Sequence, residues 1–248
     1  MKILLLNPNT SFDLTDMLAK AALAAASAAT EIVPVTAPRG VPYIASRTEA
    51  QIGGAVALEM IADHHGKVDA AIIAAFGDPG LQAAKELFDI PVVGMAEAAM
   101  LLTSVLGRKF SIVTFSTNMR PWYQECVEAN GMTDRCSSIR VATQPLGELA
   151  DIHRDMEDAL VDLCGLAVEE DGADAIILGG APLAGFASIV RDRVHVPVID
   201  QVGAAVKLAE SLVALNPRKA IAGSFRRPDA KLVTGVSDAL RRRIEHDD

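Results

Sequence analysis

Three carboxylates, Asp78, Glu97 and Asp200, stand where an apolar run gives way to a turn or a helix. A carboxylate partly withdrawn from water at such a place could serve as a general base. Each also has a plainer role. Asp78 precedes Pro79 as a turn former, Glu97 suits the first turn of a helix, and Asp200 suits an N-cap. Asn9, Thr10, Ser116 and Thr117 each precede an expected helix, where they could cap it or, with its free N–H groups, hold a carboxylate. The same chemistry at matching places in two halves of the chain favours anion binding over capping alone. His64, His65, His153, His195 and His246 all fall away from strand ends, so neither a histidine triad nor a histidine metal site is expected. Cys126, Cys136 and Cys164 lack metal-ligand spacing and read as inert thiols. No Gly-rich nucleotide motif is present.

The elements that position these groups come in two copies. Asp69-Ala70-Ala71-Ile72-Ile73-Ala74-Ala75-Phe76-Gly77-Asp78-Pro79-Gly80 answers Asp174-Ala175-Ile176-Ile177-Leu178-Gly179-Gly180-Ala181-Pro182, with Asp69 and Asp174 separated by 105 residues, as are Ala75 and Gly180. Ile90-Pro91-Val92-Val93-Gly94 recurs as Val196-Pro197-Val198-Ile199-Asp200, and Lys2 to Leu6 as Lys109 to Val113. Such a fixed offset is the mark of an internal duplication. Each apolar run ending in Gly and Pro reads as a buried parallel strand reaching its turn.

Strands alternate with helices along the whole chain, the pattern of an α/β protein with parallel sheets. The fold class expected is therefore two pseudosymmetric Rossmann-like lobes with the site in the cleft between them, since ligands bind beyond the carboxyl ends of such strands. Lobe 1 takes residues 1–107 and a C-terminal segment of about 216–248; lobe 2 takes 108–215. A long helix is expected over Leu149 to Glu169, a last strand over Lys219 to Ser224, and a frayed helix in the tail. Gly53-Gly54 inside a helix points to close packing.

Of 248 residues, 50% are hydrophobic but only 4% aromatic, so the core must be aliphatic. The net charge of −9 argues against a nucleic-acid partner, and no run is long and apolar enough for a membrane span. An odd cysteine count and the lack of a signal peptide point to the cytoplasm. A homo-oligomer is expected.

Asn7-Pro8-Asn9-Thr10, Phe76-Gly77-Asp78-Pro79-Gly80-Leu81 and Gly94-Met95-Ala96-Glu97-Ala98-Ala99 resemble the aspartate/glutamate/hydantoin racemase superfamily, its hydantoin and allantoin racemase branch above all. The resemblance runs from residue 3 to about 215. It implies two Rossmann-like lobes, no cofactor, and a pair of cysteines working on opposite faces of a substrate stereocentre. Those cysteines would fall at Ala75 and Gly180, and neither residue can carry a proton. A Glu common before the Ser of the loop Tyr43-Ile44-Ala45-Ser46-Arg47 is replaced by Ala45.

The expected ligand is thus a small anionic molecule, a hydantoin-like five-membered cyclic ureide bearing a carboxylate. Its binding residues would be Asn9, Thr10, Tyr43, Arg47, Ala75, Phe76, Gly77, Ser116, Thr117, Gly180, Ala181 and Pro182. With both thiols replaced, the chemistry expected is hydrolysis by carboxylate-activated water, Asp78, Glu97 or Asp200 serving as base. Opening a plain hydantoin expels an amide nitrogen and calls for metal activation. A 2-thiohydantoin can expel hydrosulfide instead, which makes a desulfurising hydrolase the leading expectation. The alternatives are a racemase or isomerase with acids and bases other than cysteine, and a ureide-binding protein without catalysis.

Overall fold

The computed structural model describes residues 1–143 and 156–248. Lobe 1 is built from β1 (Lys2–Asn7), α1 (Phe12–Ala25), β2 (Glu31–Thr36), α2 (Arg47–His64), β3 (Ala70–Ile73), α3 (Leu81–Leu87), β4 (Val92–Gly94) and α4 (Met95–Thr103). Lobe 2 follows as β5 (Phe110–Thr114), α5 (Arg120–Ala129), β6 (Cys136–Val141), α6 (Glu157–Glu169), β7 (Ala175–Leu178), α7 (Ala187–Val190), β8 (Val198–Asp200) and α8 (Gln201–Leu215). A last helix, α9, spans Asp238–Glu245.

The strand orders are β2-β1-β3-β4 and β6-β5-β7-β8, both parallel throughout, so the duplication in the sequence is a duplication of topology. Register makes the correspondence close: Leu6 lies opposite Ile73, and Val113 opposite Leu178. Ala75 and Gly180 therefore each sit two residues past the end of the equivalent strand.

Alternation along β1 divides the core. Ile3 and Leu5 point into an apolar cluster shared by the two lobes, whereas Leu4 and Leu6 point to the other face, beneath α2 and α3. The lobes meet through α4 and α1 packed on α8. Glu210 of α8 reinforces that seam, accepting from Ser27 N at 2.7 Å and from the Thr30 hydroxyl at 2.6 Å. On the outer side, Gly54 lets α2 lie on the β3–α3 turn; a Cβ there would stand 2.9 Å from Gly80 N.

Two expected elements differ. Lys219 to Ser224 forms no strand. Its ammonium group instead donates to the carbonyls of Lys85 and Glu86 at the end of α3, and Ile221 points into solvent. With Lys219 drawn to α3 and Ile221 to solvent, the segment does not pair along β4, which stays an edge strand among the described residues. Of the helix expected over Leu149 to Glu169, the part observed is α6; the residues before 156, His153 among them, lie outside the described residues. The tail ends in a capped helix rather than a frayed one. Ser237 accepts from Leu240 N, and Arg243 is buried against the Leu87 carbonyl.

Candidate functional site

Two strand-end turns, one from each lobe, face a small cavity lined by Asn9, Tyr43, Ile44, Ala75, Phe76, Tyr123 and Ala181. The space open to the centre of a water molecule is about 10 Å³, room for a single water. The first turn delivers Ala75 and Phe76 and the second Ala181; Tyr43 comes from the loop before α2, and Tyr123 from α5.

Asn9 is set by a local network at the end of β1. Its Oδ1 accepts from Asn7 Nδ2 at 3.0 Å and from Ser11 N at 3.0 Å. Asn7 Nδ2 also reaches the Ser11 carbonyl and the Thr15 hydroxyl. With its oxygen occupied, Asn9 keeps its amide N–H groups for a ligand. The two phenols converge on one thioether: Tyr43 donates to Met119 Sδ at 3.2 Å and Tyr123 to the same sulfur at 3.3 Å. Sulfur is a weak acceptor, so a ligand carbonyl would outcompete it. Burial drives both phenol pKa values well up, in Tyr43 with help from the Glu49 charge and in Tyr123 from Tyr43 and others. Both stay protonated and act as donors. The ring of Tyr123 also stands edge-on to Phe76, centroids 4.7 Å apart.

Gly180, at the equivalent place in the second turn, leaves no room for a side chain. Its φ is +121°, and a Cβ built there would stand 2.7 Å from Phe115 Cε1 and 3.5 Å from the Tyr123 hydroxyl. Phe115 thus fills the volume a side chain would need. Buried Gln201 clamps the turn, its Oε1 accepting from Gly180 N at 3.2 Å and its Nε2 donating to the Gly180 carbonyl. The Cys126 thiol is driven well up by burial and the Asp78 charge, and burial pushes Cys136 to about 11 and Cys164 to about 12. None supplies a thiolate at neutral pH.

The carboxylates take structural roles. Asp78, at φ +51°, accepts from Ala96 N at 2.9 Å and Glu97 N at 2.8 Å, capping α4 across the β3–α3 turn. Burial outweighs those two bonds and raises its pKa to about 7. The approach is so tight that a Cβ on Gly94 would stand 2.2 Å from Asp78 Cγ. Glu97 pairs with Lys85 on the far side of α4. Asp200 caps α8 through Val202 N and Gly203 N and accepts from Gly185 N at 2.6 Å. Expected as general bases, all three are spent on helix ends or an ion pair, and none lines the cavity.

Of the expected binding residues, Asn9, Tyr43, Ala75, Phe76 and Ala181 line the cavity. Gly180 and Pro182 flank Ala181 on the same turn, and Gly77 lies beneath the Trp122 ring. Thr10 is held by its backbone to the Val41 carbonyl. Ser116 and Thr117 do not enter the cavity: the chain after β5 makes a 3-10 turn, Thr117–Met119, that turns Met119 inward and leaves Thr117 exposed. Nor does Arg47. It reaches from α2 of lobe 1 to Glu125 of α5 in lobe 2, Nε to Oε2 at 2.8 Å, and ties the lobes together. Tyr123 and Gln201 were not expected. The one signal for Tyr123 was the Trp122-Tyr123 pair in a chain with few aromatics.

Two α/β lobes of one topology, with a cavity walled by the turns after their third strands, define a duplicated class of fold. The chain belongs to the Asp/Glu/Hydantoin racemase family, whose model matches residues 3–209. It is 41% identical over 236 residues to the hydantoin racemase of Paenarthrobacter aurescens, covering 93% of this chain and 99% of that one. It is 38% identical over 247 residues to the hydantoin racemase of Pseudomonas sp. strain NS671, covering 98% of each. The solved allantoin racemase of Klebsiella pneumoniae superposes with a TM-score of 0.89 at 35% identity, covering 97% of this chain and 99% of that one. These likenesses overturn the desulfurising-hydrolase expectation: relatives matched over nearly their whole length are racemases, which are isomerases and not hydrolases.

Proposed function

We propose that the protein is a cofactor-independent isomerase that moves a proton at the ring stereocentre of a hydantoin-like cyclic ureide bearing a carboxylate. The observation that carries this reading is the near-full-length likeness to two hydantoin racemases. The cavity chemistry supports it. A hydantoin carbon between the ring nitrogen and a carbonyl is acidic because its carbanion delocalises onto the carbonyl oxygen. Donors that hold that oxygen as charge develops lower the barrier, and Asn9, Tyr43 and Tyr123 are three neutral donors on one small apolar-walled space. Neutral phenols suit this task, since they stabilise the oxyanion without trapping it as a salt.

The proton must leave to a base. Among the described residues, the side chains that line the cavity include no carboxylate, thiol, imidazole or amine. The substrate's own carboxylate takes that role and becomes the carboxylic acid. A water on the opposite face protonates the carbanion, and the hydroxide it leaves takes the proton from the carboxylic acid, which regenerates both the carboxylate and the water. The cavity as it stands has room for one water, so ring entry requires the Tyr43 loop to swing away and the Arg47–Glu125 bridge to part.

Loss of optical rotation from a single enantiomer of a 5-carboxyalkyl hydantoin, with ring and mass unchanged, is the expected result, and Asn9→Leu should slow it. A 5-methyl hydantoin should lose rotation far more slowly. Equal rates for both substrates would remove the substrate-assisted step; no loss above the spontaneous rate would remove the isomerase.

A further inference from the structure

The outer face of α1 carries a stripe that no element among the described residues covers. Phe12 is 73% exposed and Leu23 61% exposed, and between them Asp16 and Lys20 lie one turn apart. Neither Asp16 nor Lys20 has an ion-pair partner among the described residues. Beside the stripe runs a groove of about 560 Å³, floored by Ala21, Ala24 and Ala184 and walled by Ile189, itself 47% exposed.

This face is complementary to itself. Consider a second copy of α1 laid antiparallel about a two-fold axis midway between residues 16 and 20. Asp16 of each chain then faces Lys20 of the other, twice. Phe12 precedes Asp16 by four residues and Ala24 follows Lys20 by four, so each Phe12 ring falls on the other chain's Leu23 and Ala24, at the mouth of the alanine-floored groove. A surface on which residue i meets j and j meets i is what a closed two-fold contact requires. A parallel pairing would set Asp16 near Asp16 and Lys20 near Lys20, and like charges exclude it. We propose that this face is a two-fold interface between copies of the chain, with Phe12 as its anchor and the Asp16–Lys20 pairs fixing its direction. The proposal stands independently of the reaction assigned above.

Charge exchange tests it, read by sedimentation velocity at loadings up to about 100 µM, where a contact of one helix face and its groove should be populated. The wild-type chain should show a mass that Lys20→Asp and Asp16→Lys each reduce by half. The double variant Asp16→Lys with Lys20→Asp restores opposite charges across the axis and should restore the mass. Phe12→Ser should dissociate the pair with both charges in place. Thermal melts of each variant monitor the fold. A wild-type chain that stays monomeric, an assembly that neither single charge variant reduces, or a double variant that stays dissociated while folded overturns the proposal.

Discussion

Asp78 offers a stability measurement whose sign and size both follow from its surroundings. Its carboxyl is buried, and although Ala96 N and Glu97 N donate to it, burial raises the pKa from 3.8 to about 7. The folded protein therefore keeps a proton on Asp78 between those values that the unfolded chain releases. By linkage, stability falls as pH rises through this window: the contribution is complete below about pH 4 and lost by about pH 7. At about 1.4 kcal/mol for each pH unit, the span is worth up to about 4 kcal/mol, net of the two α4 bonds that favour the anion. Asp78→Asn keeps one acceptor for the helix and cannot ionise. Urea unfolding of both proteins from pH 4 to pH 8 gives the difference directly, with all other titrating groups cancelling. The variant should start less stable at pH 4, for want of one helix hydrogen bond, and gain on the wild type by about 2–4 kcal/mol by pH 8. A difference that stays flat across that range would refute the burial argument.

Glu210 should behave in the opposite sense. Burial alone would raise it, but hydrogen bonds from Thr30, Lys207 and Ser27 hold it at about 2. Its stabilisation is thus present above its ordinary value of 4.5 and lost as pH falls toward 2, and Glu210→Gln should flatten the acid limb of the unfolding curve. Gly180→Ala should cost about 2–4 kcal/mol in urea unfolding, from the left-handed backbone and the Phe115 contact together, whereas Ala75→Cys should fold normally; equal stability for all three proteins would contradict the turn geometry. Arg47→Ala, which parts the lobe bridge to Glu125, should speed ligand association at low salt and lose that advantage in high salt; an unchanged rate in stopped flow would separate the bridge from entry.

The architecture was open to reading because each of its signals is local. Ile72-Ile73 and Ile177-Leu178 end in Gly- and Pro-bearing turns at one offset, and the paired strand orders follow from that repetition. Asn9, Tyr43 and Ala75 were likewise within reach, because strand ends and their loops converge in such folds. The carboxylates were not. Asp78 and Asp200 look the same in sequence whether they face a substrate or a helix end, and only the approach of Ala96 N and Val202 N decides. Tyr123 lies inside a helix, and nothing in the spacing reveals which face of α5 turns to the cavity. Lys219 to Ser224 failed for a related reason, since strand formation depends on a neighbour that a six-residue stretch cannot report.

The central claim is proton movement at the ring stereocentre without change to the ring. Proton NMR of a 5-carboxyalkyl hydantoin in deuterium oxide with purified protein tests it most directly. The account predicts that the ring C5–H signal disappears at a rate proportional to protein concentration, with the remaining resonances unshifted and both enantiomers of the deuterated ring recovered. A persistent C5–H signal at the spontaneous rate, or the appearance of a ring-opened product in its place, would contradict it.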